Sequence, residues 1–187
     1  MMGLLHAAGQ GDKGLSADLV ALRLSLMYAP KAFGAWHLHV ALMTSPLECR
    51  VLFSSVGAGL GNAGQANYAA GNACLDADAL SLRSHGVAVC SLQWPLIGGA
   101  GMGAAAFAAV GKRQASIAGL AGISLEEYAA CLRGHLSEPS GMTLGSQLVH
   151  RSDVQELVQD LADASQPRFK ELVSEARSCT ACAVAAP

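Results

Sequence analysis

Residues 50–80 read RVLFSSVGAGLGNAGQANYAAGNACLDADAL, and this stretch is the best guide to the fold. Its first part, Arg50–Ser55, contains β-branched and aromatic residues, which predicts a buried strand. A glycine-rich loop follows over Gly57–Gly64, and a helix is predicted from about Ala66 to Ser84. A buried strand, a glycine loop and a helix in this order form the repeating unit of a parallel α/β sheet.

The same alternation continues on both sides of this stretch. Met2–His6 is a short apolar run that leads into Ala7-Ala8-Gly9, and Val87–Trp94 is a second continuous apolar run, which ends at Pro95. Apolar strands that alternate with helices are typical of parallel sheets covered on both faces. The sequence therefore predicts an α/β fold with a Rossmann-like parallel sheet flanked by helices.

The remaining elements follow from helix caps and helix breakers. Ser16 is expected to cap a helix with Leu19, Leu22 and Leu26 on one face. Pro30 is expected to break that helix and start the next one. Two further elements complete the pattern: a helix near Leu125–Leu136 capped by Ser124, and a weak strand at Met142–Val149.

The composition of the chain changes near residue 150. Charged residues become frequent after Arg151, where a Ser152/Gln155 capping box predicts a helix and Pro167 starts a second, short helix. The final residues, SCTACAVAAP, are expected to be flexible. We therefore assign residues 1–150 to one α/β domain and residues 151–187 to a charged helical linker with a flexible tail.

The overall composition excludes several classes of protein. With 187 residues, 52% of them hydrophobic, the chain can bury a core and is not disordered. A net charge of −2 provides no excess of cations for nucleic-acid phosphates. The uncharged stretch 86–111 is interrupted by Gln93, Pro95 and several glycines, so no membrane span is expected. The N-terminus has no basic export signal, so the chain is expected to be cytoplasmic or an internal piece of a larger protein.

Two motifs resemble ligand sites but are interpreted otherwise. Cys179 and Cys182 have metal-ligand spacing, but a structural zinc site needs four ligands and the sequence has no second pair, so no metal is predicted. Gly59, Gly61 and Gly64 match the G-x-G-x-x-G pattern of dinucleotide-binding loops. Because the next predicted strand has no acidic residue for a ribose, this loop is predicted to shape a substrate site instead.

Four polar residues form a set that suits the reduction of a ketone. Tyr68 and Asn72 lie one turn apart on the predicted helix, Ser55 ends the preceding strand and Lys31 starts an earlier helix. A tyrosine donates a proton near neutral pH only when a nearby cation stabilises its phenolate. A serine hydroxyl can hold a carbonyl oxygen, and an asparagine can order a water that resupplies the proton. Spacing alone leaves a packed helix tyrosine as the alternative.

The sequence also resembles a known family over about residues 3–150. The runs that carry the resemblance are HAAG at 6–9, PKAFGAWHLH at 30–39, VLFSSVGAGLGNAGQANYAAGNACLDADAL at 51–80 and WPLIGGAGMG at 94–103. They are similar to the ketoreductase domains of modular polyketide and fatty acid synthases, which are complex members of the short-chain dehydrogenase/reductase superfamily. Those domains resemble this chain in having an asparagine one turn after the tyrosine and the lysine on an earlier helix.

The resemblance implies NADPH-dependent reduction of a carrier-bound β-ketoacyl thioester to the β-hydroxyacyl form. Tyr68 would protonate the β-keto oxygen, Ser55 would polarise it, and Asn72 would support the proton relay. Lys31 would make the phenol of Tyr68 a stronger acid and contact the nicotinamide ribose. The residues implied in cofactor binding are Ala7, Ala8, Gly9, Lys31, Tyr68, Pro95, Leu96 and Ile97, and Gly98–Val110 would form a mobile lid.

The resemblance also implies that part of the family's domain is missing. The family begins with a strand, a glycine-rich turn and two further strand–helix units, which hold the adenosine and pyrophosphate, whereas this chain begins at what resembles the fourth strand. An open edge at Met2–His6 predicts a protein partner or a second copy that completes the sheet, and weak NADPH binding by the chain alone.

Two alternatives to a catalytic domain remain. The first is a non-catalytic assembly subunit derived from a ketoreductase, and the second is a dinucleotide-binding module that uses Gly59–Gly64.

The segment Gly11-Asp12-Lys13 stands where many relatives have Leu-Asp-Asp. The sequence therefore predicts neither the configuration of the alcohol nor the acyl chain.

Overall fold

The structure is a computed structural model that describes residues 3–12, 14, 16–61, 64–98, 122–137, 146–148, 155, 158, 159, 161 and 163–184. The chain forms two compact units. The first unit comprises Met1–Pro95 and Leu125–Val149, and the second comprises Leu96–Ser124 and His150–Pro187. Residues 96–124 thus group with the C-terminal segment, and the domain boundary at residue 150 stays a prediction.

The first unit contains a sheet of four parallel strands in the order β1-β2-β3-β4. The strands are β1 (Gly3–His6), β2 (Cys49–Ser55), β3 (Val89–Trp94) and β4 (Ser146–Leu148). Leu5 pairs with Val51 and Val51 with Cys90, so the strands run together toward one carboxyl edge. The predicted parallel sheet is confirmed, with strand bounds close to those that the sequence indicates.

Helices flank this sheet and close its core. They are α1 (Ala21–Tyr28), α2 (Gly34–Ala41), α3 (Val56–Leu60), α4 (Ala66–Ser84) and α5 (Leu125–Ser137). Helix α4 lies on β2 and β3, where Leu75 and Ala79 pack with Leu52, Val89 and Ala35 in a buried cluster. Burial of such apolar side chains supplies the main driving force for this packing.

The region around Pro30 differs from the expectation. Instead of a break, a π-helical segment, Ala29–Phe33, joins α1 directly to α2. The Ala29 N–H still bonds to the Ser25 carbonyl, and the Gly34 N–H reaches back to the Ala29 carbonyl, five residues earlier. Pro30 fits at the start of this segment because it has no N–H to place in the ladder. The prediction of a break was wrong, and the wider turn lets the helix continue through Lys31.

The predicted role of Ser16 is also wrong. A short 3-10 turn covers Ser16–Asp18, and α1 begins only at Ala21, after Val20, with no side-chain cap. Leu22 is 68% exposed and Leu26 is 44% exposed, so these leucines do not form a buried face. Spacing suggested an amphipathic helix here, but the tertiary packing buries Met27 instead.

The glycine-rich loop after β2 is partly helical. Ser55 caps the short helix α3, which takes up the first part of the predicted loop. Gly61 and Gly64 have φ angles of +90° and +71°, which favour glycine because a Cβ is strained there. Helix α4 then begins at Ala66 and ends at Ser84, as predicted.

The second unit is described by itself. Ile97 and Ile123 form a parallel β-bridge, and Pro167–Phe169 is a 3-10 turn that leads into α6 (Lys170–Val184). The backbone of the C-terminal segment is therefore helical through Val184, where a flexible end was expected. Of the predicted lid, Gly98–Val110, residues 99–110 lie outside the described residues. The Ser152 cap and the side chains of the Cys179/Cys182 pair also lie outside them.

The described part of the chain contains neither a membrane-spanning helix nor a metal-binding cluster. None of its helices is long and apolar enough to cross a membrane. Within the same residues, no group of three or more histidine, cysteine or acidic side chains is arranged to hold a metal ion.

Candidate active site

Ser55 ends β2 at the carboxyl edge of the sheet, where it pairs with Trp94, the last residue of β3. Its Oγ accepts a hydrogen bond of 3.2 Å from the Gly57 N–H. Because a hydroxyl both accepts and donates, this bond fixes the oxygen and leaves the hydrogen for a carbonyl oxygen. Parallel sheets bind ligands at this edge, so Ser55 lies where a substrate would be expected.

Lys31 is buried in the π-helical segment, with 4% of its surface exposed. Its Nζ donates a hydrogen bond of 3.2 Å to the Phe53 carbonyl and lies 5.6 Å from the centroid of the Tyr68 ring. Burial lowers the pKa of Lys31 to about 8, and the charge of Asp76 acts in the opposite direction. The amine therefore titrates around pH 8 beside the face of Tyr68.

Gly71 lets helix α4 come close to the π-helical segment that carries Lys31. A Cβ at Gly71 of α4 would lie 3.4 Å from the Met27 carbonyl oxygen and 3.8 Å from Lys31 Cδ. There is room for one carbon and little more, so α4 can rest on the segment that carries Lys31. Small residues at helix contacts allow this approach, which is what places Tyr68 over the amine.

Asn72 lies one turn after Tyr68 and is fully buried. Its Nδ2 donates to the backbone carbonyl of Tyr68 at 2.9 Å, and its backbone carbonyl accepts from Ser54 Oγ at 3.3 Å. Its side-chain Oδ1 has no hydrogen-bond partner among the described residues. A buried acceptor without a partner is costly, so a water or a ligand donor is expected to bind there.

The first turn of α4 is held by a network that the sequence analysis did not identify. Asn67 is buried, its Nδ2 donates to Asp12 Oδ2 at 2.6 Å, and its Oδ1 accepts from the Tyr68 N–H at 2.9 Å. Asp12 also forms an ion pair of 2.6 Å with Arg23. The loop after β1 is thus tied to the turn that carries Tyr68.

Asp76 was not among the predicted site residues either. Its Oδ1 accepts from Ser91 Oγ at 2.6 Å and its Oδ2 accepts from Gln93 Nε2 at 2.7 Å, so β3 holds the carboxylate from two sides. The signal in the sequence was the four-residue spacing of Tyr68, Asn72 and Asp76, which puts all three on one face of the helix.

The residues predicted to bind the cofactor follow the ends of two strands. Ala7, Ala8 and Gly9 come directly after β1, with both alanines exposed, and Pro95 comes directly after β3. The other two predicted residues, Leu96 and Ile97, belong to the second unit. Ile97 forms a β-bridge with Ile123, whose N–H donates a hydrogen bond of 2.8 Å to the Leu96 carbonyl.

The G-x-G-x-x-G match has a packing explanation at its first glycine. Gly59 lies inside α3, and a Cβ there would come within 2.6 Å of Gln93 Oε1. The missing side chain therefore lets α3 pack on β3, which needs no phosphate at this position. This observation favours the interpretation of residues 57–64 as a loop that shapes the site.

Comparison with known proteins identifies the family of the chain. The family model of the KR domain matches residues 1–99, more than half of the chain. The chain belongs to the KR domain family. The ketoreductase resemblance and the membership of the short-chain dehydrogenase/reductase superfamily are therefore confirmed.

This KR chain matches only a small part of the length of its relatives, which are much longer proteins. It is 44% identical over 124 residues to the spectinabilin polyketide synthase system protein NorB of Streptomyces orinoci, with 66% of this chain and 6% of that protein covered. It is 31% identical over 190 residues to the mycoketide-CoA synthase of Mycobacterium tuberculosis (strain ATCC 25618 / H37Rv), with 98% of this chain and 5% of that protein covered.

Solved structures share the fold. An A-type ketoreductase from a modular polyketide synthase matches with a TM-score of 0.76 and 29% identity, over 93% of this chain and 36% of that chain. An A1-type ketoreductase matches with a TM-score of 0.78 and 29% identity, over 96% of this chain and 36% of that chain. The KR chain thus spans about a third of these solved chains, and its Rossmann-like α/β fold is confirmed.

Proposed function

We propose that this KR chain reduces a carrier-bound β-ketoacyl thioester to the β-hydroxyacyl form, in polyketide or fatty acid synthesis, with NADPH as the reductant. The observation that carries the proposal is the position of Lys31 Nζ, held by the Phe53 carbonyl at 3.2 Å and over the Tyr68 ring at 5.6 Å. A buried ammonium beside a half-buried tyrosine suits proton donation by the phenol.

Each catalytic residue has a distinct task in this proposal. Ser55 Oγ holds the β-keto oxygen by donating a hydrogen bond, and Tyr68 gives its proton to that oxygen as the carbon receives a hydride. The Lys31 ammonium stabilises the phenolate that remains. Asn72 Oδ1, buried and without a partner among the described residues, holds a water that returns a proton to Tyr68.

The residues present fit the reacting end of a nicotinamide cofactor. When bound, NADPH supplies the hydride. Lys31 and Tyr68 would hold its ribose, and the backbone of Ala7-Ala8-Gly9 would lie beside it. Pro95, Leu96 and Ile97 would hold its nicotinamide. Asn72 Oδ1, which has no partner among the described residues, supports the proposed proton relay, because a relay water needs an acceptor.

In this proposal the KR chain acts in the cytoplasm together with other proteins. The acyl chain arrives on an acyl carrier protein, and another polypeptide segment or a second copy completes the sheet beside β1 and holds the adenosine and phosphates. The edge of β1 supports this, because β1 is the terminal strand of the described sheet and Leu5 is 47% exposed. The same edge favours a second candidate function, a non-catalytic assembly subunit derived from a ketoreductase.

Titration of the purified chain with NADPH, followed by nicotinamide fluorescence and then by addition of a β-ketoacyl thioester, tests the proposal. Saturable binding and cofactor oxidation are expected, and Tyr68→Phe abolishes oxidation while sparing the fold, since it removes one hydroxyl. If binding is absent, the titration is repeated with a polypeptide that carries the family's first three strands. Failure with that polypeptide present would overturn the proposal in favour of the assembly subunit.

A further inference from the structure

The buried face of α4 continues beyond the residues that the proposed mechanism uses. Tyr68, Asn72 and Asp76 follow each other at four-residue spacing. The backbone carbonyl of Asn72 accepts a hydrogen bond from Ser54 of β2, and the Asp76 carboxylate accepts hydrogen bonds from Ser91 and Gln93 of β3. Ser54 pairs with Gln93 in the sheet, so the hydrogen bond on Asn72 and the one on Asp76 come from neighbouring positions. Phe53, whose carbonyl accepts the hydrogen bond from Lys31 Nζ, pairs with Leu92 of β3. Leu92 lies between Ser91 and Gln93, the two residues that hold Asp76, so the sheet register brings the anchors of Lys31 and Asp76 to neighbouring positions.

Two donors give the Asp76 carboxylate a fixed place. Ser91 is fully buried, and its Oγ lies 2.6 Å from Oδ1, while Gln93 Nε2 lies 2.7 Å from Oδ2. The Asp76 charge acts on the ammonium of Lys31, which is 4% exposed and is therefore poorly stabilised by water.

We propose that Asp76 is a positioning residue for the reduction, whose carboxylate, clamped by Ser91 and Gln93, keeps the Lys31 ammonium charged and seated beside Tyr68. The inference rests on the function proposed above. It adds a fixed negative charge that favours the protonated form of the Lys31 amine. The direction of the Asp76 effect on the pKa of Lys31, upward against burial, agrees with this role.

Other groups around Lys31 do not replace this charge. From β1, the His6 ring nitrogen lies 3.4 Å from the Lys31 carbonyl oxygen, and burial lowers the pKa of His6, so this ring is neutral near pH 7. From β2 comes the neutral Phe53 carbonyl, and from α4 come Tyr68 and Asp76. Asp78, two residues after Asp76, is influenced by the charge of His39 and is not among the charges that act on Lys31, which makes it a matched control.

The test measures the titration of Lys31 directly. The chain has four lysines, so ¹³Cε resonances can be followed by NMR as the pH is raised, and Lys31→Met identifies the resonance of Lys31. The parent midpoint is expected at about 8. Asp76→Asn, which keeps an acceptor for Ser91 and lets the partly exposed Gln93 turn its amide, shifts the midpoint to lower pH. Asp78→Asn leaves it in place, and Asp76→Glu restores it.

A second readout connects this charge to the reaction. The alkaline fall of the reduction rate moves to lower pH in Asp76→Asn and stays where it is in Asp78→Asn, an effect that a purely structural loss would not produce. If Asp76→Asn does not fold, as judged by circular dichroism, Asp76→Ser replaces it, with a water between Ser91 and Gln93.

The outcomes separate the inference from the function on which it rests. An unchanged Lys31 midpoint in a folded Asp76 variant overturns the inference, as does an equal shift in Asp78→Asn or a shifted midpoint with an unshifted rate profile. A shifted midpoint in a chain that never reduces a thioester, even with the first three strands of the family supplied, overturns the positioning role together with the proposed function.

Discussion

Lys31 is buried in surroundings that disfavour its positive charge. The residue is almost completely buried, and its pKa is lowered from 10.5 to about 8 by that burial. Between these two pH values the unfolded chain keeps a proton that the folded chain has lost, so folding stability rises with pH across this window. Below about 8 the folded protein bears the full cost of the buried ammonium, on the order of 3 kcal/mol.

Replacing Lys31 by methionine should therefore stabilise the fold. Lys31→Met is expected to raise the free energy of unfolding at neutral pH by up to about 3 kcal/mol, because it exchanges a buried charge for an apolar chain of similar size. The gain should shrink as the pH rises from 8 toward 10.5, where the parent amine is already neutral. Urea unfolding followed by circular dichroism at both ends of this range measures the difference.

Lys170→Met is the control for this prediction. Lys170 is exposed at the start of α6, so its replacement changes stability little at either pH. A stabilisation by Lys31→Met that does not depend on pH would show that packing, and not the buried charge, is responsible.

At the scale of elements, the site depends on how α4 meets the π-helical segment. Ala29–Phe33 presents Lys31 inward, and Gly71 leaves just enough space for the amine to lie under Tyr68. Neither element would create the site alone, because α4 carries the tyrosine and the π-helical segment carries the cation. The contact between them is therefore sensitive to side-chain volume.

Two substitutions at Gly71 should have opposite effects. Gly71→Ala is expected to stabilise the fold by roughly 0.5–1 kcal/mol, because alanine suits a helix interior and its Cβ would make an ordinary contact at 3.4 Å. Gly71→Leu is expected to destabilise it by about 1–3 kcal/mol, since the longer side chain meets the Met27 carbonyl and Lys31. Thermal unfolding compares both variants with the parent.

Gly134 gives the matched control for the larger side chain. It lies in α5, where a Cβ would meet nothing within 4 Å, so Gly134→Leu should not be destabilising. Equal loss of stability in Gly71→Leu and Gly134→Leu would contradict the close contact at Gly71.

The elements show which parts of the fold the sequence could predict. The bounds of helix α4 were predicted correctly, because its apolar spacing and the glycines before it are both local features of the sequence. The passage through Pro30 was not, since only tertiary packing reveals that a wide turn, and not a break, places Lys31 inside. Asp76 was missed because a carboxylate in mid-helix has a meaning only when Ser91 and Gln93 of another element lie opposite it.

At the scale of the whole molecule, the first unit carries the proposed site at the carboxyl edge of a parallel sheet, where Ser55 ends β2. The described strands run in the order β1-β2-β3-β4, so β1 ends the described sheet on one side. The loop after β1 is the one that we propose lies beside the cofactor. Completion of the sheet next to β1 and binding of the cofactor are thus expected to be coupled, because both involve the same strand.

Association through β1 is therefore the expected behaviour of the purified chain. Sedimentation velocity over a range of concentrations should show larger species as concentration rises, and Leu5→Lys should suppress them, because a charged side chain on an edge strand opposes pairing with another strand. Val40→Lys is the matched control: Val40 on α2 is 49% exposed, close to the 47% of Leu5, but does not lie on the strand. Equal suppression by both variants would point to general surface stickiness. A monomer at all concentrations that binds NADPH tightly would show that β1 needs no further strand, and that the described edge is sufficient for the site.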